Sequence, residues 1–121
     1  NELVETLRLL KERFGIIIVT DANEDGAFRK LKQLGALPYV DEMIYYEMFM
    51  HPKNLEYYRR AMEKTGEDPD AHISVGDNVE SDIMLAKRLG MRTAKVGKHS
   101  DEADDSVDRF PEIKYRLLEA A

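Results

Sequence analysis

Two carboxylates and one amide lie close together in a short polar segment, at Asp77, Asn78 and Asp82. The segment follows a predicted buried strand over 71–75, and Gly76 permits a tight turn between the two. Carboxylate and amide oxygens suit Mg²⁺, which takes few protein ligands and keeps several waters. The same residue types at the start of a helix also act simply as caps and as favourable charges near its positive end. Metal binding and helix capping are therefore both open for this segment.

A second candidate site follows the apolar run Ile16 to Val19, where Thr20, Asp21 and Ala22 come next. Main-chain N–H groups between a strand end and a helix N-terminus favour an anion, and the Thr20 hydroxyl adds a donor, so these residues are candidate phosphate ligands. A threonine at a strand end is also an ordinary consequence of β-propensity. The segment alone does not decide between the two interpretations.

Lys53 lies in a polar loop before a predicted helix. Its ammonium group could neutralise a phosphate or hold a catalytic carboxylate, and the alternative is a solvated surface lysine. His51, in the same loop, is most simply a turn residue.

The elements that would position these residues alternate between strands and helices. β-branched runs without polar interruption indicate strands buried on both faces, and apolar residues at helical spacing indicate helices between them. The predicted helices cover about 2–14, 23–35, 54–66 and 79–89 and a last segment opened by Pro111, and the predicted strands cover 16–20, 43–46, 71–75 and 92–96, followed by an acidic loop over 100–108. This order predicts a three-layer, Rossmann-like α/β fold, with one parallel sheet and helices on both faces. Since ligands bind at the carboxyl ends of such strands, Thr20 and Asp77 should share one edge of the molecule.

Length and composition set limits on the function. With 121 residues the chain is expected to form a single domain over 1–121. The net charge of −6 argues against a nucleic-acid surface, and the absence of cysteine excludes thiolate metal sites and favours an intracellular, cytoplasmic setting. The longest apolar run, around Ile16 to Val19, is far shorter than the ~20 residues that span a bilayer, so no membrane partner is expected.

Taken together, these segments resemble the haloacid dehalogenase superfamily of phosphohydrolases. Ile16 to Thr20 looks like the family's second motif, an apolar strand ending in a phosphate-binding Ser or Thr. Val75 to Asp82 looks like its fourth motif, Ala86 to Thr93 continues the family pattern, and Val107 to Ile113 is similar to the closing strand and helix. The resemblance implies a Mg²⁺ cofactor bound by Asp77, a supporting acidic role for Asp82, and phosphate binding by Thr20 with the Asp21 amide.

Two departures from the family pattern affect the functional hypothesis. No Asp-x-Asp follows an apolar strand here, although that first motif supplies the family's nucleophile, its acid/base and a further metal ligand. We expect the missing strand, and any cap inserted after it, to be truncated from the N-terminal side or encoded elsewhere. The family's third motif reads Lys-Pro, whereas this chain has Pro52-Lys53, which leaves the transfer of the lysine's role to Lys53 open.

The main hypothesis is therefore a Mg²⁺-dependent phosphomonoesterase core for small phosphorylated metabolites, inactive without its nucleophile. The alternative is a non-catalytic interaction or regulatory module with the same fold. In the family the missing strand lies between the strands that end at Thr20 and at Val75. The remaining strands should then pair directly or borrow a strand from a separate segment or another copy, which favours homo-oligomers or strand swapping. A dinucleotide-binding domain is disfavoured because no Gly-x-Gly-x-x-Gly follows a strand.

Overall fold

The computed structural model describes residues 1–119. The helices are α1 (Glu2–Lys11), α2 (Glu24–Leu34), α3 (Leu55–Thr65), α4 (Leu85–Arg88) and α5 (Ile113–Glu119), and the strands are β1 (Ile17–Val19), β2 (Glu42–Ile44), β3 (Ile73–Gly76), β4 (Arg92–Val96) and β5 (Asp105–Val107). Of the helices within this range, none has both the length and the apolar character needed to cross a membrane.

The strands form two parallel sheets that are not hydrogen-bonded to each other. In the first, β1 pairs with β2 so that Ile18 lies opposite Met43. In the second, the order is β3-β4-β5, with Gly76 opposite Lys95 and Lys95 opposite Ser106. Alternating strands and helices with only parallel pairs confirm the predicted Rossmann-like α/β class.

Two apolar clusters hold the helices against the sheets. The first joins β2 and α3 to α4 through the buried residues Ile44, Tyr57, Tyr58, Ala61, Ala86 and Met91. The second joins α1 and α5 to the larger sheet through the buried residues Leu10, Ala94, Val107 and Ile113. Ile17 and Val19 of β1 pack on the first cluster, while Ile16, Ile73 and Val75 pack on the second. The helix layers therefore cover both sheets from opposite faces.

β1 and β3 each have one edge that is not paired with another strand in residues 1–119. All residues of both strands are only half-buried, whereas Thr93, Ala94 and Lys95 of β4, which has a neighbour on both sides, are buried. The prediction that Ile16 to Thr20 is buried on both faces was therefore wrong, because these residues are only half-buried. The unpaired edge of β1 leaves the strand partly open to solvent. The direct pairing of the remaining strands does not occur in the structure.

Two segments differ from the predicted elements. The acidic loop contains β5, a polar edge strand whose only buried residue is Val107, and polar edge strands carry little apolar signal. The helix predicted over 79–89 begins with a widened, π-helical turn over Val79–Met84 and becomes α-helical only in α4. At the junction the Leu85 N–H donates to the carbonyl of Glu80, five residues back. We call Val79–Met84 the wide turn.

Candidate functional site

Lys53 connects the carboxyl ends of the two sheets. Its main-chain N–H donates to Oδ1 of Asp21, just beyond β1, at 2.6 Å. Its Nζ donates to Oδ1 of Asp82, in the wide turn after β3, at 2.7 Å. One residue thus contacts both segments that were expected to share an edge. The loop of Thr20 and the loop of Asp77 lie on the same side of the molecule for this reason.

The loop before α3 fixes the position of Lys53. Asn54 caps α3 by accepting from the N–H of Glu56 at 3.0 Å, so the helix starts two residues after the lysine. On the other side, the Tyr57 hydroxyl donates to the His51 carbonyl at 2.6 Å and holds the loop against α3. Met50 turns the chain with a φ of 59°, which is unusual for a residue other than glycine. Despite the reversed order Pro52-Lys53, this short connection brings the ammonium group to Asp82.

Asp82 is held on both of its carboxylate oxygens. Oδ1 receives the Lys53 ammonium, and Oδ2 accepts from the N–H of Asn78 at 3.1 Å. The Lys53 and Asp82 side chains are each only 13% exposed, so water weakens their attraction less than at the surface. Both oxygens are engaged by the protein, and Asp82 therefore acts here as the anchor of the lysine.

Gly76 is required by the position of Asp82. A Cβ at Gly76 would lie 2.2 Å from Oδ2 of Asp82 and 2.5 Å from its Cβ, far inside contact distance. The backbone of Gly76 does not have the positive φ found at four other glycines. The glycine therefore allows close approach of the Asp82 side chain, and it does not serve the tight turn that the sequence suggested.

Asp77 and Asn78 have different surroundings. The Asn78 side chain accepts from the N–H of Ser81 at 3.0 Å, so capping is the role it performs in this structure. The Asp77 carboxylate is exposed and makes no hydrogen bond or ion pair within residues 1–119. Across the same residues, no three His, Asp or Glu side chains are grouped so that they could hold a metal ion. Of the three predicted ligands, Asp77 is thus the one carboxylate available to a cation, and the donor set fits Mg²⁺ only in part.

The Thr20 turn is closed by its own side chain. Oγ1 of Thr20 accepts from the N–H of Ala22 at 3.1 Å, which leaves the hydroxyl proton available for another acceptor. The Ala22 amide is thus used within the turn. Asn23 follows as the cap of α2 and accepts from the N–H of Gly26 at 2.7 Å. The predicted phosphate ligands therefore have unequal roles, with the Thr20 hydroxyl and the Asp21 amide the more available donors.

Tyr58 and Ser74 also belong to this site, although the sequence offered no reason to assign either of them a role. Tyr58 is 3% exposed, and burial raises the pKa of its hydroxyl, with a further increase from the neighbouring Asp82 carboxylate. Its hydroxyl donates to the Ser81 carbonyl at 2.5 Å. The Ser74 hydroxyl donates to the Asp82 carbonyl at 2.6 Å. In the sequence, the only indication of a role for Ser74 is its position between two apolar residues of a predicted strand.

The charges at this edge are unbalanced. Asp21, Asp77 and Asp82 bring three carboxylates, while Lys53 brings one ammonium group that is already paired. A phosphate dianion would be repelled by this arrangement unless a cation joined it. The geometry therefore favours a cation-assisted anion site over a simple anion pocket.

Comparison with known proteins gives consistent results for most of the chain. A family model described as haloacid dehalogenase-like hydrolase matches residues 1–96. The chain is 34% identical over 96 residues to a glyceraldehyde 3-phosphate phosphatase of Methanocaldococcus jannaschii, covering 77% of this chain and 42% of that protein. It is 36% identical over 94 residues to the pyrophosphatase PpaX of Bacillus velezensis, covering 76% and 43%. The matched region thus spans less than half the length of these relatives.

Solved structures resemble the fold more completely. A phosphatase of the same superfamily from Thermococcus onnurineus superposes with a TM-score of 0.86 at 25% identity, covering 96% of this chain and 56% of that one. A β-phosphoglucomutase-like protein from Thermotoga maritima superposes with a TM-score of 0.83 at 23% identity, covering 97% and 58%. The second likeness supports the fold alone.

Proposed function

Because the chain belongs to the haloacid dehalogenase-like hydrolase family, we propose that it forms the phosphate-binding core of a Mg²⁺-dependent phosphomonoesterase. The observation that carries this proposal is the position of Lys53, which contacts Asp21 at the end of β1 and Asp82 beyond β3. The main chain of Lys53 contacts the segment after β1 and its ammonium group contacts the segment after β3, so the residue lies at the carboxyl ends of both sheets, where ligands of such folds bind.

Each side chain has a distinct role in this proposal. The Thr20 hydroxyl donates to a phosphate oxygen, and the Lys53 ammonium offsets part of the phosphate charge. Asp82 keeps Lys53 in place. Asp77 supplies a carboxylate to Mg²⁺, which when bound neutralises further negative charge on the phosphoryl group. Small phosphorylated metabolites are the proposed substrates, since the relatives are named as a glyceraldehyde 3-phosphate phosphatase and a pyrophosphatase.

The nucleophile must come from outside the elements described above. In this family an aspartate from an Asp-x-Asp strand attacks phosphorus, displaces the alcohol of the ester and forms an aspartyl phosphate, which water then hydrolyses to free aspartate and inorganic phosphate. We place that strand between β1 and β3, each of which has one edge unpaired within residues 1–119. A parallel strand there would bring its carboxyl end to the edge occupied by Lys53. Because no Asp-x-Asp follows an apolar strand in residues 1–121, a second copy of this sequence cannot supply the nucleophile, and the strand comes from a separate segment.

The test compares the chain with an extended form. In the extended form, an apolar strand ending in Asp-x-Asp is joined to Asn1 through a flexible Gly/Ser linker long enough to reach the gap. With Mg²⁺, the extended form should release p-nitrophenol from p-nitrophenyl phosphate, and the unextended chain should be no faster than buffer. A matched extended form with Asn in place of the first Asp controls for strand insertion without the nucleophile. Hydrolysis by the unextended chain would refute this mechanism.

A non-catalytic module is the second candidate, favoured by the pairing of Lys53 with Asp82 and by the incomplete metal donor set in residues 1–119. The two functions differ in one outcome of the same test. If the extended form folds with the strand inserted yet stays inactive with Mg²⁺, the module is the better description.

A further inference from the structure

The wide turn after β3 is held from outside by two hydroxyl groups. Its residues Ser81 and Asp82 present consecutive carbonyl groups. The Ser81 carbonyl accepts from the hydroxyl of Tyr58 on α3, and the Asp82 carbonyl accepts from the hydroxyl of Ser74 on β3. Hydroxyls from two different elements thus bind adjacent peptide groups on either side of the Asp82 Cα atom.

We propose that Tyr58 and Ser74 are positioning residues that keep the wide turn in its π-helical form and so aim the Asp82 carboxylate at Lys53. This inference rests on the proposed function, because it concerns how the same site is assembled. Neither side chain carries a charge, and both hydroxyls bond to the backbone of the wide turn, so each acts on Lys53 through Asp82.

The geometry of the turn explains why it needs external support. A π-helical turn is wider than an α-helix and is rare, and it is frequently found at functional sites. Here the Leu85 N–H reaches the Glu80 carbonyl, five residues back, so the backbone is displaced from the regular pattern at the residues around Asp82. If the turn relaxed to α-helical geometry, the direction of the Asp82 side chain would rotate away from its present contacts.

Because Tyr58 is buried and Ser74 is half-buried, their hydroxyl groups have few hydrogen-bond partners other than the wide turn. Tyr58 is 3% exposed, so its hydroxyl has little water to bind as an alternative to Ser81. Ser74 is half-buried on a strand whose neighbours Ile73 and Val75 pack on the apolar cluster of α1 and α5. Since alternate strand residues point to opposite faces, Ser74 faces the wide turn, and an apolar residue there would leave the Asp82 carbonyl without this donor.

The experiment measures how accessible the Lys53 amine is in the folded chain. Acetylation by a dilute acylating reagent is quantified at each lysine by peptide mass spectrometry in wild type, Tyr58→Phe, Ser74→Ala and Asp82→Asn. The Asp82→Asn variant sets the rate for Lys53 without its ion pair. Lys95, which is 5% exposed, reports general opening of the fold, and the exposed Lys30 reports reagent strength. Thr6→Val, which removes a buried hydroxyl bond to the Glu2 carbonyl in α1, is the matched control.

Tyr58→Phe and Ser74→Ala should each raise Lys53 acetylation by about fivefold, the factor expected for loss of one hydrogen bond, with Lys95 unchanged. Thr6→Val should leave Lys53 at the wild-type rate. Unchanged Lys53 acetylation in both variants would overturn the proposal, as would a parallel rise at Lys95, since that would indicate destabilisation of the whole fold. If Asp82→Asn leaves the acetylation rate of Lys53 unchanged, the Lys53–Asp82 ion pair does not protect the amine. That result would contradict the proposed function, and it is distinct from a failure of the positioning role of Tyr58 and Ser74.

Discussion

At the scale of single residues, the absence of a side chain at Gly76 leaves room for the side chain of Asp82. Any β-carbon at Gly76 would overlap the Asp82 carboxylate, whose oxygens receive Lys53 and the Asn78 amide. The sequence predicted the importance of both residues, but it could not reveal that the glycine serves the aspartate six positions later.

Gly76→Ala should destabilise the fold by about 1–3 kcal/mol, because Asp82 must move and its contacts must loosen. Urea unfolding followed by circular dichroism measures the change. Gly15→Ala is the control, since its new Cβ would meet Oδ2 of Asp41 at an ordinary 3.6 Å and should change stability by less than about 1 kcal/mol. Equal stability of Gly76→Ala and wild type would contradict the close approach.

The Lys53 and Asp82 pair should matter more to stability than an exposed pair does. Lys53→Met leaves a mostly buried carboxylate without its cation and should cost about 2 kcal/mol or more. Lys11→Met removes a pair with Asp41 whose side chains are 36% and 41% exposed, and it should cost less than about 1 kcal/mol. Urea unfolding of both variants decides the order. A smaller effect for Lys53→Met than for Lys11→Met would show that the pair is solvated.

At the scale of elements, Asp41 ties α1 and the start of β1 to β2. Its carboxylate pairs with Lys11 at the end of α1 and accepts from the N–H of Ile16 at 2.7 Å. Hydrogen bonding by the Lys11 ammonium, followed by the Ile16 amide, lowers the pKa of Asp41 below its ordinary value. This carboxylate therefore stabilises the fold in its ionised form.

The sign of the pH effect follows from that lowered pKa. The contribution of Asp41 is fully present above the ordinary carboxyl pKa of about 4 and is lost as the pH falls through the lower value of the folded state. In Asp41→Asn the decline in unfolding free energy below about pH 4 should be shallower than in wild type. Urea unfolding from pH 6 to pH 2.5 provides the comparison, and parallel curves for the two proteins would contradict the assignment.

The elements were predictable where local chemistry determines them. Asn23 and Asn54 cap α2 and α3, and asparagine is a residue type favoured at that position. The strands β1 and β3 were placed to within about two residues. The wide turn was not predictable, because the hydroxyls that support it come from elements distant in sequence. The residue pattern predicted a loop over 105–107, since an Asp-Ser-Val strand carries almost no apolar pattern, and only the family resemblance indicated a closing strand, at Val107. Thr93 and Asp104 fix the entry of β5 through long-range hydrogen bonds.

At the scale of the whole molecule, the strands are divided into two sheets. The sequence did not decide between this division and a single, closed sheet. The absence of an Asp-x-Asp strand predicted an incomplete sheet, with two possible outcomes. Direct pairing of β1 with β3 does not occur, because within residues 1–119 β1 pairs only with β2 and β3 only with β4. Insertion of a strand from elsewhere stays a prediction.

Hydrogen exchange should report that insertion. In the unextended chain, main-chain amides on the open edges of β1 and β3 should exchange much faster than those of β4, which is bonded on both sides. In the extended form the amides on those edges should become protected by about tenfold or more, as the new strand accepts their hydrogen bonds. Exchange rates that stay the same in both forms would mean that the added strand does not enter the sheet.

The central claim is that the edge defined by Thr20, Lys53, Asp77 and Asp82 is a phosphate-handling site. The most direct measurement is kcat/KM for p-nitrophenyl phosphate with Mg²⁺ in the extended form carrying Asp77→Asn. The control is Glu80→Gln, which changes an exposed carboxylate three residues further along the chain. We expect Asp77→Asn to lower kcat/KM by about 100-fold or more, and Glu80→Gln to leave it within a few-fold of the unsubstituted extended form. Equal activity of the two variants would contradict the account.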